Sequence, residues 1–484
     1  MSSVRLAGDG SRSLLQLLRA DGCVVEAPCG GNGRCGKCTV TVREGAQTRA
    51  VRACAYIPAG EIEVILPDVP RGRAEQTAAA DPPQPLGLAV DLGTTAVEAA
   101  LYRLTDGVCL GTARETNRQS PWGADVISRI AACAAQLPAL RDAVRRQTAD
   151  LAALLGAAPG QIGRVQIAGN TVMQHIFAGV DPTAIGRYPY TPPSLFDDEK
   201  PLTIPELPGA AVYLTPCVSG YIGGDITAGL YAAVPADEDR TVLFLDIGTN
   251  GEMALLHKGK FLCCSAACGP AFEGAQITCG TRRVPGAIDR VGRNFRFETA
   301  DGAPPVGLCG SGLVDLLAEL LRTGIADETG RLLPPDEVDS LYRARVREDE
   351  NGNGEFSLAP GVILTAGDVR AVQLAKAAVA AGISILLQRA GVTERELDEI
   401  IVSGSFGSGL NAENAARIGL LPRGTVTPAG NTSLRGAARM LLSEEARRAV
   451  RLVRDRCGYT ELAGDPAFND AFAQAMFFDT DEGV

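Results

Sequence analysis

The sequence predicts an α/β protein, a core of two related lobes preceded by a small α+β module. Three observations predict it. An apolar strand that ends in aspartate and turns on Gly-Thr occurs twice, at Asp91 and at Asp246. Five of the 14 cysteines fall within the first 54 residues. The chain has 484 residues, 46% of them apolar and 21% charged, enough to bury full cores over roughly three domains of about 150 residues.

Composition excludes several classes. No run of about 20 uncharged apolar residues occurs, and the nearest, residues 371–387, is broken by Gln373, Lys376 and Gly382, so no membrane span is expected. Residues 1–13 lack the charged-then-apolar pattern of a secretory leader. A net charge of −11 argues against a general nucleic-acid-binding surface. With 14 Cys and 2 His, any metal site must be mostly thiolate, and in a reducing compartment the cysteines are not expected to form a disulfide framework.

The early cysteines are Cys29, Cys35, Cys38 and Cys54, spaced C-x5-C-x2-C and then fifteen residues to the fourth. This is close to the C-x4-C-x2-C pattern of plant-type [2Fe–2S] ferredoxins, with one residue more in the first interval. A [2Fe–2S] rhomb needs four thiolates. Gly30, Gly31, Gly33 and Gly36 let one loop wrap it and aim N–H groups at the sulfurs. A short amphipathic helix at 13–20 and strands at 39–42 and 61–66 fit a small β-grasp ferredoxin. A four-Cys zinc site is the alternative, but such sites favour paired C-x2-C knuckles and only one is present. Cys23 lies outside the spacing and reads as a spare or buried thiol. Both histidines lie far from this loop, which excludes a Rieske-type ligand set.

A linker rich in proline follows, so the expected organisation is a module at 1–68, a linker at 69–86, a first lobe at 87–240 and a second at 241–484. The first hairpin reads Asp91-Leu92-Gly93-Thr94-Thr95, and the second Asp246-Ile247-Gly248-Thr249-Asn250. A glycine turn with hydroxyls offers backbone N–H groups to phosphate oxygens, and an aspartate at the strand end can hold Mg²⁺. One such turn is common; two copies after apolar strands point to polyphosphate binding. Two ordinary hairpin turns are the plain alternative.

These residues resemble the superfamily of acetate and sugar kinases, Hsp70 and actin, whose five motifs occur in fixed order. Here the first phosphate motif is 87–95, the first connecting helix 223–233 and the second phosphate motif 245–252. The adenosine motif, 400–409, contains Gly404, Ser405 and Gly407, and the second connecting helix is 434–441. The resemblance implies duplicated ribonuclease-H-like lobes that bind ATP with Mg²⁺. Asp91 and Asp246 would serve metal and phosphate, Gly93, Thr94, Thr95, Gly248, Thr249 and Asn250 phosphate oxygens, and Gly404, Ser405 and Gly407 adenosine. Asp225 sits where the family often orients the attacking water, and a plain helix N-cap is the alternative.

A [2Fe–2S] module ahead of such a core resembles the ATP-dependent reductive activators of corrinoid proteins. Local stretches agree: Ala168-Gly169-Asn170-Thr171 through His175, Cys268-Gly269-Pro270-Ala271-Phe272-Glu273-Gly274, Cys309-Gly310-Ser311-Gly312, and the tail from Glu461 to Asn469. The resemblance implies transfer of one electron from the cluster to inactive Co(II), regenerating Co(I) for methyl transfer. It also implies a corrinoid-binding partner of a methyltransferase system, an upstream electron donor and a homodimer, and the chemistry itself implies a reduced, anaerobic cytoplasm. Longer members carry an extra domain before the ATPase core. Only the linker separates Cys54 from Asp91, so a short form lacking that middle domain is expected. The C-terminal [4Fe–4S] cysteine runs of a related group are absent.

Two other functions fit the same motifs: a small-molecule kinase with a redox-sensing ferredoxin module, and an ATP-driven electron donor to another low-potential enzyme. A non-enzymatic scaffold holding ATP is a third. Cys263, Cys264, Cys268 and Cys279 read as buried structural thiols rather than a second cluster, as do Cys109, Cys133 and Cys217. His175 reads as a satisfied core or interface residue and His257 as surface. Trp122 suits packing or a partner equally.

Overall fold

In the computed structural model the described residues are all but 1, 21–22, 24, 26–37, 45–46, 67–72, 77–84, 199, 235–238 and 479–484. Cys29, Cys35 and most of the expected linker lie outside them. The chain forms two compact units, Met1–Ala232 with Ser433–Arg454, and Ala233–Thr432 with Asp455–Val484.

The first unit begins with β1 (Ser2–Asp9), α1 (Leu14–Ala20), β2 (Thr39–Glu44), β3 (Gln47–Arg52) and β4 (Ala59–Leu66). Its four strands make an antiparallel sheet in the order β1-β4-β2-β3. The helix and both strands expected here are therefore present, as a small antiparallel α+β module. Ser13 starts α1 with a capping box: Ser13 Oγ accepts from Gln16 N at 3.3 Å, and Gln16 Oε1 accepts from Ser13 N at 2.8 Å. Leu14, Leu15 and Leu18 then pack on Val40, Val42, Ile62 and Val64.

Within the expected linker, β5 (Arg73–Gln76) pairs antiparallel with a strand of the next sheet. That sheet comprises β6 (Leu86–Leu92), β7 (Ala96–Arg103), β8 (Cys109–Thr116), then, after α2 (Val126–Leu154), β9 (Ile162–Gly169), and, after α3 (Thr171–Ala178), β10 (Ala211–Leu214). Its order is β10-β9-β6-β7-β8-β5, with β6, β7 and β8 antiparallel and β9 and β10 parallel to β6. α4 (Gly224–Ala233) follows.

The second unit repeats this plan. β11 (Val242–Ile247), β12 (Gly251–His257) and β13 (Lys260–Ala266) form the antiparallel part. A small sheet of β14 (Ala287–Val291), β15 (Phe297–Thr299) and β16 (Gly307–Leu308) precedes α5 (Gly310–Arg322). Another, β17 (Val346–Glu348), β18 (Gly354–Ala359) and β19 (Val362–Thr365), precedes α6 (Ala366–Ala390). Then come β20 (Glu399–Ser403), α7 (Gly404–Gly407), α8 (Ala412–Arg417) and β21 (Val426–Gly430). The chain returns to the first unit as α9 (Thr432–Leu442) and α10 (Glu444–Asp455), and ends with β22 (Cys457–Tyr459) and α11 (Pro466–Gln474). The sheet order β21-β20-β11-β12-β13-β22 matches that of the first unit strand for strand through its five main strands. The duplication expected from the two hairpins thus extends to whole sheets. α6 is long and apolar enough to cross a membrane, yet 72% of that window is buried as a core helix.

One expectation needs correction. The second lobe does not run unbroken from 241 to the C-terminus, because 433–454 packs in the first unit. The cause lies in β6, where Leu88, Val90 and Leu92 face one core while Ala89 faces another, made of Ala100, Ala168, Ala228, Leu434, Ala437, Ala438 and Leu441. Small residues on that face admit close helices. A Cβ on Gly436 of α9 would lie 2.2 Å from Ala228 O of α4.

Gly436→Ala gains up to about 1 kcal/mol of helix propensity. It drives a methyl into backbone that cannot swing aside, at about 1–3 kcal/mol. A lower urea midpoint at unchanged m-value is expected; an equal or higher midpoint would refute this packing.

His175 in α3 is fully buried; its Nδ1 meets Thr171 O at 2.7 Å and its Nε2 accepts from Ser194 N at 3.2 Å. A backbone donor on Nε2 makes this the neutral ring with its proton on Nδ1, the satisfied core residue expected. Burial holds its pKa below 6.5. The unfolded chain therefore takes up the proton first as pH falls, and stability is lost below about 6.5. In His175→Asn that slope should be shallower between roughly pH 6.5 and 5, read by denaturation at several pH values; an identical slope would assign it to another group.

Candidate functional site

The first turn joins β6 to β7. Asp91 lies on the small-residue face of β6, and its Oδ1 accepts from Ser433 Oγ at 2.9 Å. Residues 93–95 are held from behind. Gly93 O accepts from Asn117 Nδ2 at 2.8 Å, Thr94 O from Arg129 Nη2 at 2.6 Å, and Thr95 O from Asn117 N at 3.0 Å. In a trans peptide the carbonyl and the following N–H point in opposite directions. The N–H groups of Thr94 and Thr95 are thereby turned away from these donors, the arrangement of an anion-binding concavity.

Asn170, the N-cap of α3, donates from Nδ2 to Thr94 Oγ1 at 2.8 Å. A Cβ on Gly223 would lie 2.5 Å from Asn170 Cα and 2.7 Å from Asp225 Oδ1, so the start of α4 presses against Asn170. Asp225 therefore sits near the first turn, in the first turn of its helix, where its Oδ1 also accepts from Ile226 N at 2.9 Å.

The second turn joins β11 to β12. Parallel pairing sets Asp246 opposite Ser403. Ser403 Oγ donates to Asp246 Oδ2 at 3.1 Å and shares a hydrogen bond of 2.7 Å with Thr432 Oγ1. Gly404 has a φ of +81°, and a Cβ there would lie 3.3 Å from Asp246 Oδ1, so a glycine suits both the backbone and the close approach. Thr249 Oγ1 donates to Glu273 Oε1 at 3.1 Å, and Gly248 N donates to Asn250 O at 2.8 Å. Burial, reinforced by the Glu273 charge, pushes the Asp246 carboxyl above the usual carboxylate range, against the Ser403 hydroxyl, which lowers it. A buried acid beside a second carboxylate favours a cation, and oxygen ligands suit Mg²⁺. Cys268 Sγ lies 3.3 Å from Gly248 O and 3.6 Å from Thr249 O, a thiol backing this turn. Gly407 passes close to Val402 O, and Phe406 packs on Phe272 with ring centroids 4.9 Å apart.

In the N-terminal module the β2–β3 hairpin pairs Thr39 with Arg52. Cys38 and Cys54 flank that pair, and their sulfurs are 3.2 Å apart. This exceeds a disulfide bond by more than 1 Å, and it brings two of the four expected thiolates to one point. Cys38 is fully buried and Cys54 half-buried. Cys23 is half-buried against the module core.

Of the other thiols expected to be buried, Cys109 and Cys279 are only half-buried. Cys263, Cys264, Cys268 and Cys309 are buried, Cys279 donates to Ile363 O at 3.1 Å, and no group of three or more metal-binding side chains occurs among the described residues. Trp122 packs against the core of its lobe. The residues that residue-by-residue reading left out of the site are Asn117, Arg129, Asn170 and Glu273. Asn170 and Glu273 lay within quoted stretches, but nothing local tied either to a turn.

A family model described as the C-terminal domain of RACo, the ASKHA domain, matches residues 240–483, and one described as the RACo middle region matches 86–234. The second match covers what was expected to be the first ATPase lobe, a stretch described in that family as its middle region. The corrinoid activation enzyme RamQ of Eubacterium limosum is 33% identical over 419 residues, covering 81% of this chain and 70% of that protein. A [Co(II) methylated amine-specific corrinoid protein] reductase of Methanosarcina barkeri is 28% identical over 268 residues, covering 50% of this chain and 46% of its own length. A solved structure of a reductive activator for corrinoid, iron–sulfur protein superposes with a TM-score of 0.73 at 30% identity, covering 98% of this chain and 96% of that one. By these matches, which together run nearly from end to end, the chain belongs to the RACo family of reductive activators of corrinoid proteins.

Proposed function

We propose that this protein uses ATP to drive a one-electron reduction of Co(II) to Co(I) in a corrinoid bound by a partner protein, restoring it for methyl transfer. The observation that carries the reading is the similarity, over 98% of the chain, to a reductive activator for corrinoid, iron–sulfur protein. The convergence of Cys38 and Cys54 supports a plant-type [2Fe–2S] ferredoxin module, with Cys29 and Cys35 as the remaining ligands. A cluster held there supplies a single electron at roughly −400 mV, refilled by an upstream donor. Reduction at a still lower potential is uphill by about 2.3 kcal/mol for each 100 mV, which is the need for ATP.

In this reading Gly93, Thr94, Thr95, Gly248, Thr249 and Asn250 hold phosphate oxygens, and Asp91 and Asp246 hold Mg²⁺. Gly404, Ser405 and Gly407 border adenosine, and Asp225 orients water. Hydrolysis is then a matter of positioning and electrostatics. The chemistry calls for a reducing, anaerobic cytoplasm.

The deciding measurement is optical. Reduced protein, ATP–Mg²⁺ and a corrinoid protein in the Co(II) form should together yield the Co(I) spectrum, and omission of ATP should abolish it. No ATP-dependent change with several corrinoid proteins would sink the reading. Cys38→Ser should remove the iron–sulfur absorbance, and retained absorbance would move the ligands elsewhere. Asp246→Ala should lower ATP hydrolysis by about 100-fold or more with that absorbance intact.

A further inference from the structure

Arg129 lies in the first turn of α2 and is 1% exposed. Its guanidinium has four hydrogen-bond partners: Gly123 O at 3.0 Å, Gln119 Oε1 at 3.2 Å, Met173 Sδ at 3.0 Å and Thr94 O at 2.6 Å. All four are neutral. Buried charges are ordinarily paired with an opposite charge, because removing an ion from water is costly. The acid that acts on Arg129 is Asp125, the N-cap of the same helix, and its effect is outweighed by burial, which pushes the guanidinium down to about 9.

We infer that Arg129 is the buried counter-charge of the turn at residues 93–95, a positioning residue through which this turn binds the phosphate groups of a nucleotide in proportion to their negative charge. The inference rests on the proposed nucleotide binding and adds what sets its strength. Arg129 donates to the Thr94 carbonyl, and the Thr95 N–H belongs to the same peptide and points the opposite way. A cation on the carbonyl side holds that peptide in one orientation and polarises its N–H. An anion on the N–H side supplies the charge that the guanidinium lacks. Asn117 fixes the two flanking carbonyls with neutral donors, so Arg129 brings the only formal charge among the three clamps on this turn.

The test is equilibrium binding to the full-length protein with Mg²⁺ present, using ATP, ADP, AMP, adenosine and inorganic tripolyphosphate, with thermal melts as a fold control. In Arg129→Gln, affinity should fall at least tenfold for ATP and tripolyphosphate, less for ADP and AMP, and less than twofold for adenosine. In Arg129→Lys, which keeps the charge, ATP affinity should stay within about threefold of wild type. A loss equal for ATP and adenosine would mark a merely structural role and overturn the inference. So would unchanged ATP affinity in Arg129→Gln. If Arg129→Gln does not fold, Arg129→Lys decides alone: wild-type melting with a tenfold loss of ATP binding shows that charge is not what matters. Wild-type protein that binds neither ATP nor tripolyphosphate overturns both this inference and the proposed function. Wild-type protein that binds tripolyphosphate but not ATP overturns only the latter.

Discussion

Three consecutive carbonyls, those of Gly93, Thr94 and Thr95, each accept a hydrogen bond from residues behind the turn, and the orientation of the whole turn depends on that clamp. A glycine turn alone is flexible and can rotate its peptides either way. Holding the oxygens settles where the N–H groups aim before any ligand arrives, so less ordering remains to be done on binding. The donors come from far along the chain. Asn117 follows β8 and Arg129 starts α2, while Asn170 caps α3 and holds the Thr94 hydroxyl. Loop, helix start and helix cap therefore meet at one turn because β6 lies at the middle of its sheet, flanked by β7 and β9.

The second turn repeats the geometry with different chemistry. Gly248 and Thr249 stand where Gly93 and Thr94 stand in the first, and their carbonyls face the Cys268 thiol instead of an asparagine and a guanidinium. Glu273 brings a carboxylate to the Thr249 hydroxyl, where Asn170 brings a neutral amide to Thr94. One turn is thus backed by a buried cation and the other is bordered by an extra anion. Duplicated strands supply the scaffold, and what surrounds them has diverged: a guanidinium behind the first turn, a thiol and a carboxylate at the second. Each aspartate also receives a hydroxyl, from Ser433 for Asp91 and from Ser403 for Asp246.

What was legible from the sequence is what is local. The strand–Asp–Gly–Thr pattern shows both hairpins because strand alternation and turn residues are written within a dozen positions. The cysteine spacing grouped Cys38 with Cys54 among four candidate ligands, while the β2–β3 hairpin that brings these two together was not read from it. Gly404 was legible as a turn glycine after an apolar strand, and it takes a φ of +81°. Arg129 could not be read this way. Nothing near it in sequence distinguishes it from the other arginines, and its role arises only when α2 packs against β6 and β7. Glu273 is similar, since its partner Thr249 is 24 residues away across two strands. The return of 433–454 to the first unit was hidden for a further reason: small residues such as Gly436 mark close packing without saying against what.

The same logic divides the 14 cysteines. A thiol binds iron or zinc as thiolate, so burial that raises its pKa works against ligation. Burial pushes Cys264 and Cys268 far up, and Cys279 to about 11. These stay protonated, and a protonated thiol is a weak donor. Cys268 uses that donor on the carbonyls of the second turn. Its burial against the second turn is what lets it back that turn. Cys38 and Cys54 meet at the end of a small sheet, where the β2–β3 hairpin brings their sulfurs together. Cys263 is also buried, yet it meets the Cys457 thiol on the neighbouring strand, so a pair of thiols serves packing in one sheet and is gathered at a hairpin end in the other.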